Sequence, residues 1–422
     1  SARRRASSTF SVLPSRSPTT GLSWHRATRS VVTPASLGRR RSGARFRSTG
    51  LRHPGRLDPV TSPAAQFEEA VEASAVPDVA RTGLVRILEA HPEALDRLAA
   101  DAGLVTALLA VLSASRSLTR HVEADATALD VLADLATPVP ISAESPDRLV
   151  ATKRLEYLRI AARDLSRIDA LEATGAALAA LGRDVLAASC TLAGAEHLAV
   201  IGMGKLGGDE LNYASDIDVM FVGEAEHAAM VKAARNVLDH ARRCFRVDAN
   251  LRPEGRDGPL ARSVASYEAY WDKWAQPWEF QALLKARPVA GDPELGAAYH
   301  AAATERLWSR HFSADDLRSV RAMKERAESE IAKKGLSDRE VKRGRGGIRD
   351  IEFSVQLLQL VHGRLDPELR SPTTLVALRE MADAGYVDQD DAEGFADAYR
   401  FLREVEHRLQ LVDEQQVHAV PT

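Results

Sequence analysis

GMGKLGGDELNYASDIDVMFV, residues 202–222, decides how the rest of the chain is read. In its second half Asp216 and Asp218 stand two apart, so on a strand both carboxylates leave from one face. Ile217, Val219 and Phe221 then point to the opposite face, where a core belongs. Its first half, GMGKLGG, follows the apolar run HLAVIG (197–202), which reads as a buried strand ending at glycine. A glycine turn between a strand and a helix lets backbone N–H groups approach a phosphate, and Lys205 adds a positive charge.

Downstream, EHAAMVKAARNVLDHARRC (226–244) has Met230, Ala234, Val237, Leu238 and Ala241 at helical spacing. FRVDANLR (245–252) then alternates, with Phe245, Val247, Ala249 and Leu251 on one side and Arg246, Asp248, Asn250 and Arg252 on the other. That predicts a half-buried strand carrying a third carboxylate, Asp248, with Arg252 on the same face as a phosphate contact or the partner of a nearby acid. The 30 residues from Asp218 to Asp248 contain one helix, enough for a crossover back to the same sheet. Three convergent carboxylates suit two Mg²⁺ or Mn²⁺ ions, which activate the attacking oxygen and stabilise the leaving one at phosphorus. A lone acid-x-acid triplet is a weak signal in a chain this acidic. The order strand, Gly-Lys, Asp-x-Asp strand, helix, aspartate strand is far more specific.

Around this centre the pattern is helical. Residues 61–195 repeat Leu, Val and Ile at three- and four-residue spacings, with a Pro- and Ser-containing connector at 138–149. The expected organisation is a helical region at 61–195, a catalytic core at 196–295 and a further helical region at 296–422. The last of these is interrupted by KRGRGG (342–347). There Arg343, Arg345, Gly346 and Gly347 precede a helix with Ile351, Val355, Leu358 and Val361, an arrangement expected to hold an oxyanion. Asp350 and Glu352 either reach the site or favour the helix dipole. Trp271, Trp274 and Trp278, at helical spacing, are expected in the core. Lys285 and Arg287 are left open between phosphate binding and a structural role.

The net charge of −3 conceals an asymmetry: residues 1–60 carry 13 Arg, no Lys and one acid, whereas the remainder is net −15. An acidic body argues against a duplex nucleic-acid groove. The Arg/Ser-rich head, 1–60, is expected to be disordered and no functional part of the protein, with an RNA-binding arm or a transit peptide as the alternatives. The sequence opens without Met and stops at LVDEQQVHAVPT inside what reads as a continuing fold, so a fragment is expected. Two cysteines, Cys190 and Cys244, make no disulfide framework and suit a reducing, cytoplasmic setting. No uninterrupted apolar run reaches the length of a membrane span, so no membrane partner is expected.

The order of glycine turn, Asp-x-Asp and third Asp resembles the DNA polymerase beta-like nucleotidyltransferases, although Lys205 replaces the usual Ser after Gly204. The longer strings FRVDANLRPEGRDGPL, WEFQALLKARPVAGD, GRGGIRDIEFSVQLLQL and FLREVEHRLQLVDEQQ are similar to the bifunctional glutamine synthetase adenylyltransferase/adenylyl-removing family, from about residue 65 to the end. That resemblance implies an α+β fold, a small mixed sheet flanked by helical bundles. It implies Asp216, Asp218 and Asp248 as catalytic metal ligands for Mg²⁺ or Mn²⁺, and Gly204, Lys205, Gly207 and Gly208 as the nucleotide-phosphate turn. Glutamine synthetase is the implied protein substrate, and a PII-type nitrogen sensor the implied regulator. The wording ELNYASDID and the helical run-in are more similar to the adenylyl-removing half. That half uses phosphate to displace the tyrosine of an adenylylated synthetase and releases ADP; the ATP-dependent adenylylating activity is the alternative. A uridylyltransferase of a nitrogen sensor is the main rival, but its His-Asp metal motif is missing from this sequence. A non-catalytic nucleotide-sensing module would have no need of three carboxylates.

Overall fold

The computed structural model describes residues 63–195 and 197–421, and the Arg-rich head of the sequence lies outside them. Helices come first: α1 (Pro63–Glu72), α2 (Pro77–Ala90), α3 (Ala94–Ala100), α4 (Ala102–Ala114), α5 (Arg116–Ala124), α6 (Thr127–Ala133), α7 (Pro146–Leu165) and α8 (Leu171–Ala193). Their ends are written in the sequence. The Asp101 carboxylate accepts from the N–H groups of Gly103 and Leu104 at 2.8 and 3.0 Å. Ser145 caps α7, whose first residue is Pro146, and Gly194 ends α8 in the left-handed conformation (φ 59°). Helix α8 is long and apolar enough to cross a membrane by length and composition alone. Its Leu178, Val185 and Leu186 are buried in the core it shares with α7, and it carries Glu172, Arg183 and Asp184. It is a packed core helix.

The sheet follows: β1 (Leu198–Gly202), α9 (Gly204–Gly207), β2 (Asp216–Gly223), α10 (His227–Ala241), β3 (Arg246–Asp248), β4 (Ala261–Arg262), α11 (Val264–Lys273), α12 (Pro277–Leu283) and β5 (Arg287–Gly291). The strand order is β3-β2-β1-β5, with β4 also paired to β2. Strand β1 runs antiparallel to β2 and β5, whereas β3 and β4 run parallel to β2. The crossover through α10 makes the β2–β3 parallel pairing possible. The sheet divides two cores. Ile217, Val219 and Phe221 pack with α8 and α10 on one face; Ala199, Ile201, Met220 and Val222 pack with Tyr267, Trp271 and Tyr299 on the other. Asp216 and Asp218 lie on this second face, at the end where its core runs out.

The chain closes with α13 (Pro293–Ser309), α14 (Ala314–Lys333), α15 (Ile348–His362), α16 (Thr374–Asp383) and α17 (Gln389–Leu411). The α+β class, with a small mixed sheet and helical flanks, is therefore the observed one. Two local expectations change. The strand expected over 245–252 is only Arg246–Asp248, because the chain turns at Asn250, whose N–H donates to the Asp248 carboxylate at 2.7 Å. Trp271 is core, but Trp274 is 69% exposed, since it stands past the last turn of α11.

Candidate functional site

Parallel pairing sets Asp218 directly beside Asp248 and Asp216 beside Arg246. Asp216 and Asp218, two apart on β2, share a face with that neighbour. Asp218 is half-buried, and desolvation, then the Asp248 and Asp216 carboxylates, push its carboxyl up to about 6. Such a repelled group is one that a cation would relieve. The Arg246 guanidinium meets Asp216 at 2.6 Å and the Ala214 carbonyl at 2.8 Å. Among the described residues no three acids, histidines or cysteines are drawn together as a closed metal cage. The donor chemistry nevertheless fits a hard divalent ion: three oxygen-donor carboxylates on one face, one of them raised by desolvation and then by the other two.

Above this face lies a cleft of about 530 Å³, lined by Gly204, Lys205, Asp216, Asp218, Lys342, Arg343, Arg349, Glu352, Gln416 and His418 among others. Gly204 adopts φ +54°, and a Cβ there would lie 3.1 Å from the Asp218 carboxylate. The first expected glycine thus borders the carboxylates. Gly207 and Gly208 do not line the cleft: a Cβ at Gly207 would overlap the Lys285 carbonyl, and one at Gly208 would reach within 2.9 Å of the Pro372 carbonyl. Their glycines permit close packing beneath the turn. Lys205 is anchored rather than free, its Nζ 3.2 Å from Asn212 Oδ1 and 3.5 Å from Glu406 Oε2. Burial outweighs the Glu406 charge and brings Lys205 down to about 7.

The 342–347 turn divides in the same way. Lys342 and Arg343 face the cleft, joined by Arg349 from the first turn of α15, whereas Arg345 is exposed outside its lining. The Gly346 N–H donates to Asp350 at 2.7 Å and the Gly347 N–H to the Gly344 carbonyl at 3.0 Å, so both serve the turn itself. Arg252 is turned to backbone: its three nitrogens donate to the carbonyls of Ala249, Gly258 and Arg256 at 2.7–3.0 Å. Lys285 pairs with buried Glu210 and donates to Thr374 Oγ1 at 3.0 Å, and Arg287 pairs with Asp209 at 2.6 Å.

Sequence reasoning missed the support behind the glycine turn. Arg403, Glu406, His407 and Gln410, all buried, form one face of α17 at spacings of three and four. Gln410 Oε1 accepts from Asn212 and from the Ala214 N–H at 2.6 and 2.9 Å, and Arg403 donates to the Glu210 carbonyl at 2.8 Å. Glu406, fully buried, meets Arg403 at 3.4 Å and His418 at 3.1 Å. Burial would raise its carboxyl, but Lys205, His418 and Arg403 hold it well below the usual range. Burial brings His407 down to about 3, so it is neutral. A wholly polar stripe at helical spacing was the available signal. On the outer side of Asp216 and Asp248 lies a second cleft of about 770 Å³, lined by Arg235, Arg242, Arg246, Arg252 and Arg256.

The sequence profile of the family described as Glutamate-ammonia ligase adenylyltransferase matches residues 96–242 and 238–302. A profile described as GlnD PII-uridylyltransferase matches residues 319–422, downstream of the carboxylate strands. A Bifunctional glutamine synthetase adenylyltransferase/adenylyl-removing enzyme of Streptomyces coelicolor is 44% identical over 409 residues, covering 87% of this chain and 40% of the relative. Its namesake in Streptomyces avermitilis is 43% identical, over 86% of this chain and 40% of its own length. That of Mycobacterium tuberculosis is 46% identical over 251 residues, 59% of this chain and 25% of its own. The chain thus spans about two fifths of the length of the Streptomyces relatives it matches.

Proposed function

The chain belongs to the glutamine synthetase adenylyltransferase family, and from that premise we propose that it is a nucleotidyltransferase that removes AMP from an adenylylated tyrosine of glutamine synthetase. Inorganic phosphate attacks the AMP phosphorus, the bond from phosphorus to the tyrosine oxygen breaks, and ADP and the free phenol leave. The observation that carries this reading is one cleft joining Asp216 and Asp218 to Lys205, Lys342, Arg343 and Arg349. Such a cleft presents carboxylates for a divalent ion beside cations for two phosphoryl groups that repel each other.

Asp216, Asp218 and Asp248 are the groups that would hold Mg²⁺ or Mn²⁺, which when bound supplies the positive charge that draws electrons from the phosphorus. Lys342, Arg343 and Arg349 bind the incoming phosphate and lower its repulsion from the AMP phosphate. Lys205, in the short helix α9 that follows β1, neutralises charge on the nucleotide while Glu406 fixes its position. The turn containing Gly204 lets the nucleotide phosphate come close to Asp218 without a side chain between them. A phenol of pKa about 10 leaves without a strong general acid. The proposal therefore asks for no catalytic histidine.

The preference for removal over ATP-dependent attachment rests on the ELNYASDID wording and on the helical run-in from α1 to α8. The downstream match to a PII-uridylyltransferase profile supports a PII-type sensor as a partner of the α14–α17 region. The test is the chain with adenylylated glutamine synthetase, Mg²⁺ and phosphate. Phosphate-dependent ADP supports removal. AMP attachment to unmodified synthetase from ATP would assign the chain the opposite activity.

A further inference from the structure

Lys153 of α7 is only 7% exposed, yet among the described residues its ammonium has no hydrogen bond and no carboxylate at ion-pair distance. Its Nζ lies over two rings instead, 4.2 Å from the centre of Tyr157 and 4.8 Å from that of Phe245. Aromatic faces compensate a buried cation only in part, and a charge withdrawn from water without an anion is costly. The side chain borders a cavity of about 260 Å³ that it shares with Ser215, Arg242, Cys244, Arg246 and Glu414.

The other charges there are mostly committed. Arg246 holds Asp216 and the Ala214 carbonyl, and Arg243 holds Asp147 at 2.6 Å; Glu414 accepts from the Ser117 hydroxyl at 2.6 Å but keeps its negative charge, which favours the Lys153 ammonium from beyond ion-pair distance and offsets it only in part. Arg242, by contrast, has no side-chain partner among the described residues, so two uncommitted cations face one small space. Its volume is below the range of nucleotide and drug-sized sites, roughly 300–1,000 Å³. We propose that this cavity binds a small oxyanion, phosphate or a short dicarboxylate, between Lys153 and Arg242, apart from the cleft of Asp218. Its walls include the starts of both carboxylate strands: Ser215 leads into Asp216, and Arg246 begins the strand that ends in Asp248. An anion seated there touches both strands from behind and competes with Asp216 for Arg246.

Cys244 gives a local reporter, because it lines the cavity and the other cysteine, Cys190, is buried on α8. The experiment follows alkylation of Cys244 by iodoacetamide, a neutral reagent, in phosphate, in succinate and in chloride at matched ionic strength. An anion at ten times its dissociation constant slows labelling about elevenfold, and chloride does not. Protection by phosphate alone or by succinate alone assigns the anion. Lys153→Met, which keeps the stem and its ring contacts, abolishes the protection; Arg242→Met, on the exposed rim, does the same if the first variant is poorly folded. No protection by either anion, equal protection by chloride, or protection undiminished in both variants overturns the proposal.

Discussion

Replacing Asp218 by asparagine removes a carboxylate whose environment disfavours its charge. Its carboxyl rises from 3.8 to about 6, chiefly by burial and then by repulsion from Asp248 and Asp216. Two pKa units correspond to about 3 kcal/mol. Because the folded value is the higher one, the native state binds the proton more tightly between pH 4 and 6. The associated stability is present below about pH 4 and is lost as the pH rises through 6. At pH 7, in chelator, the ionised group therefore costs up to about 3 kcal/mol, and an isosteric amide escapes that cost. Asp218→Asn should be the more stable protein in urea melts at pH 7 by about 1–3 kcal/mol, with the gap closing towards pH 4. Added Mg²⁺ narrows the gap by stabilising the wild type, while turnover falls to background in the variant. A variant equal to or weaker than the wild type at pH 7 in chelator would refute the electrostatic reasoning.

Other expectations follow from the support behind the turn. Glu406→Gln leaves Lys205 and Arg403 without their buried anion and should cost about 3–5 kcal/mol in denaturant melts, as loss of one partner of a buried pair does; a cost below 1 kcal/mol contradicts the network. With Lys205 down to about 7, a rate that needs its ammonium falls as pH rises through that value. Lys205→Arg, if active, should move that fall to higher pH in a kcat/KM profile. Gly207→Ala collides with the Lys285 carbonyl and should cost roughly 1–3 kcal/mol or more in thermal melts. Gly394→Ala, where nothing lies within 4 Å, should leave the melt unchanged or slightly raised.

Three of the sheet's five strands were readable because their signals are local, whereas β4 and β5 were not foreseen. HLAVIG, SDIDVMFV and the start of FRVDANLR contain β1, β2 and β3, and the one helix between the last two supplies the parallel crossover. The glycines were less readable by role. Gly204 lies against Asp218, but Gly207 answers to the Lys285 carbonyl, 78 residues downstream, which no local pattern reveals. Arginines misled for a related reason. A long guanidinium stem takes the nearest acceptors that the tertiary fold supplies, so Arg252 serves its own turn, whereas Arg349, given no role from sequence, lines the cleft. The polar face of α17 was visible as a pattern, yet its purpose depends on Asn212 and Ala214, nearly 200 residues away in sequence.

The most direct test of the central claim is ADP release by residues 61–422 from adenylylated glutamine synthetase, with phosphate varied at fixed Mg²⁺. The account predicts saturable, phosphate-dependent ADP that disappears in Asp216→Asn and Asp248→Asn proteins that remain folded. Near-normal ADP release by either variant would contradict the carboxylate assignment. ADP release independent of phosphate would contradict the reaction itself.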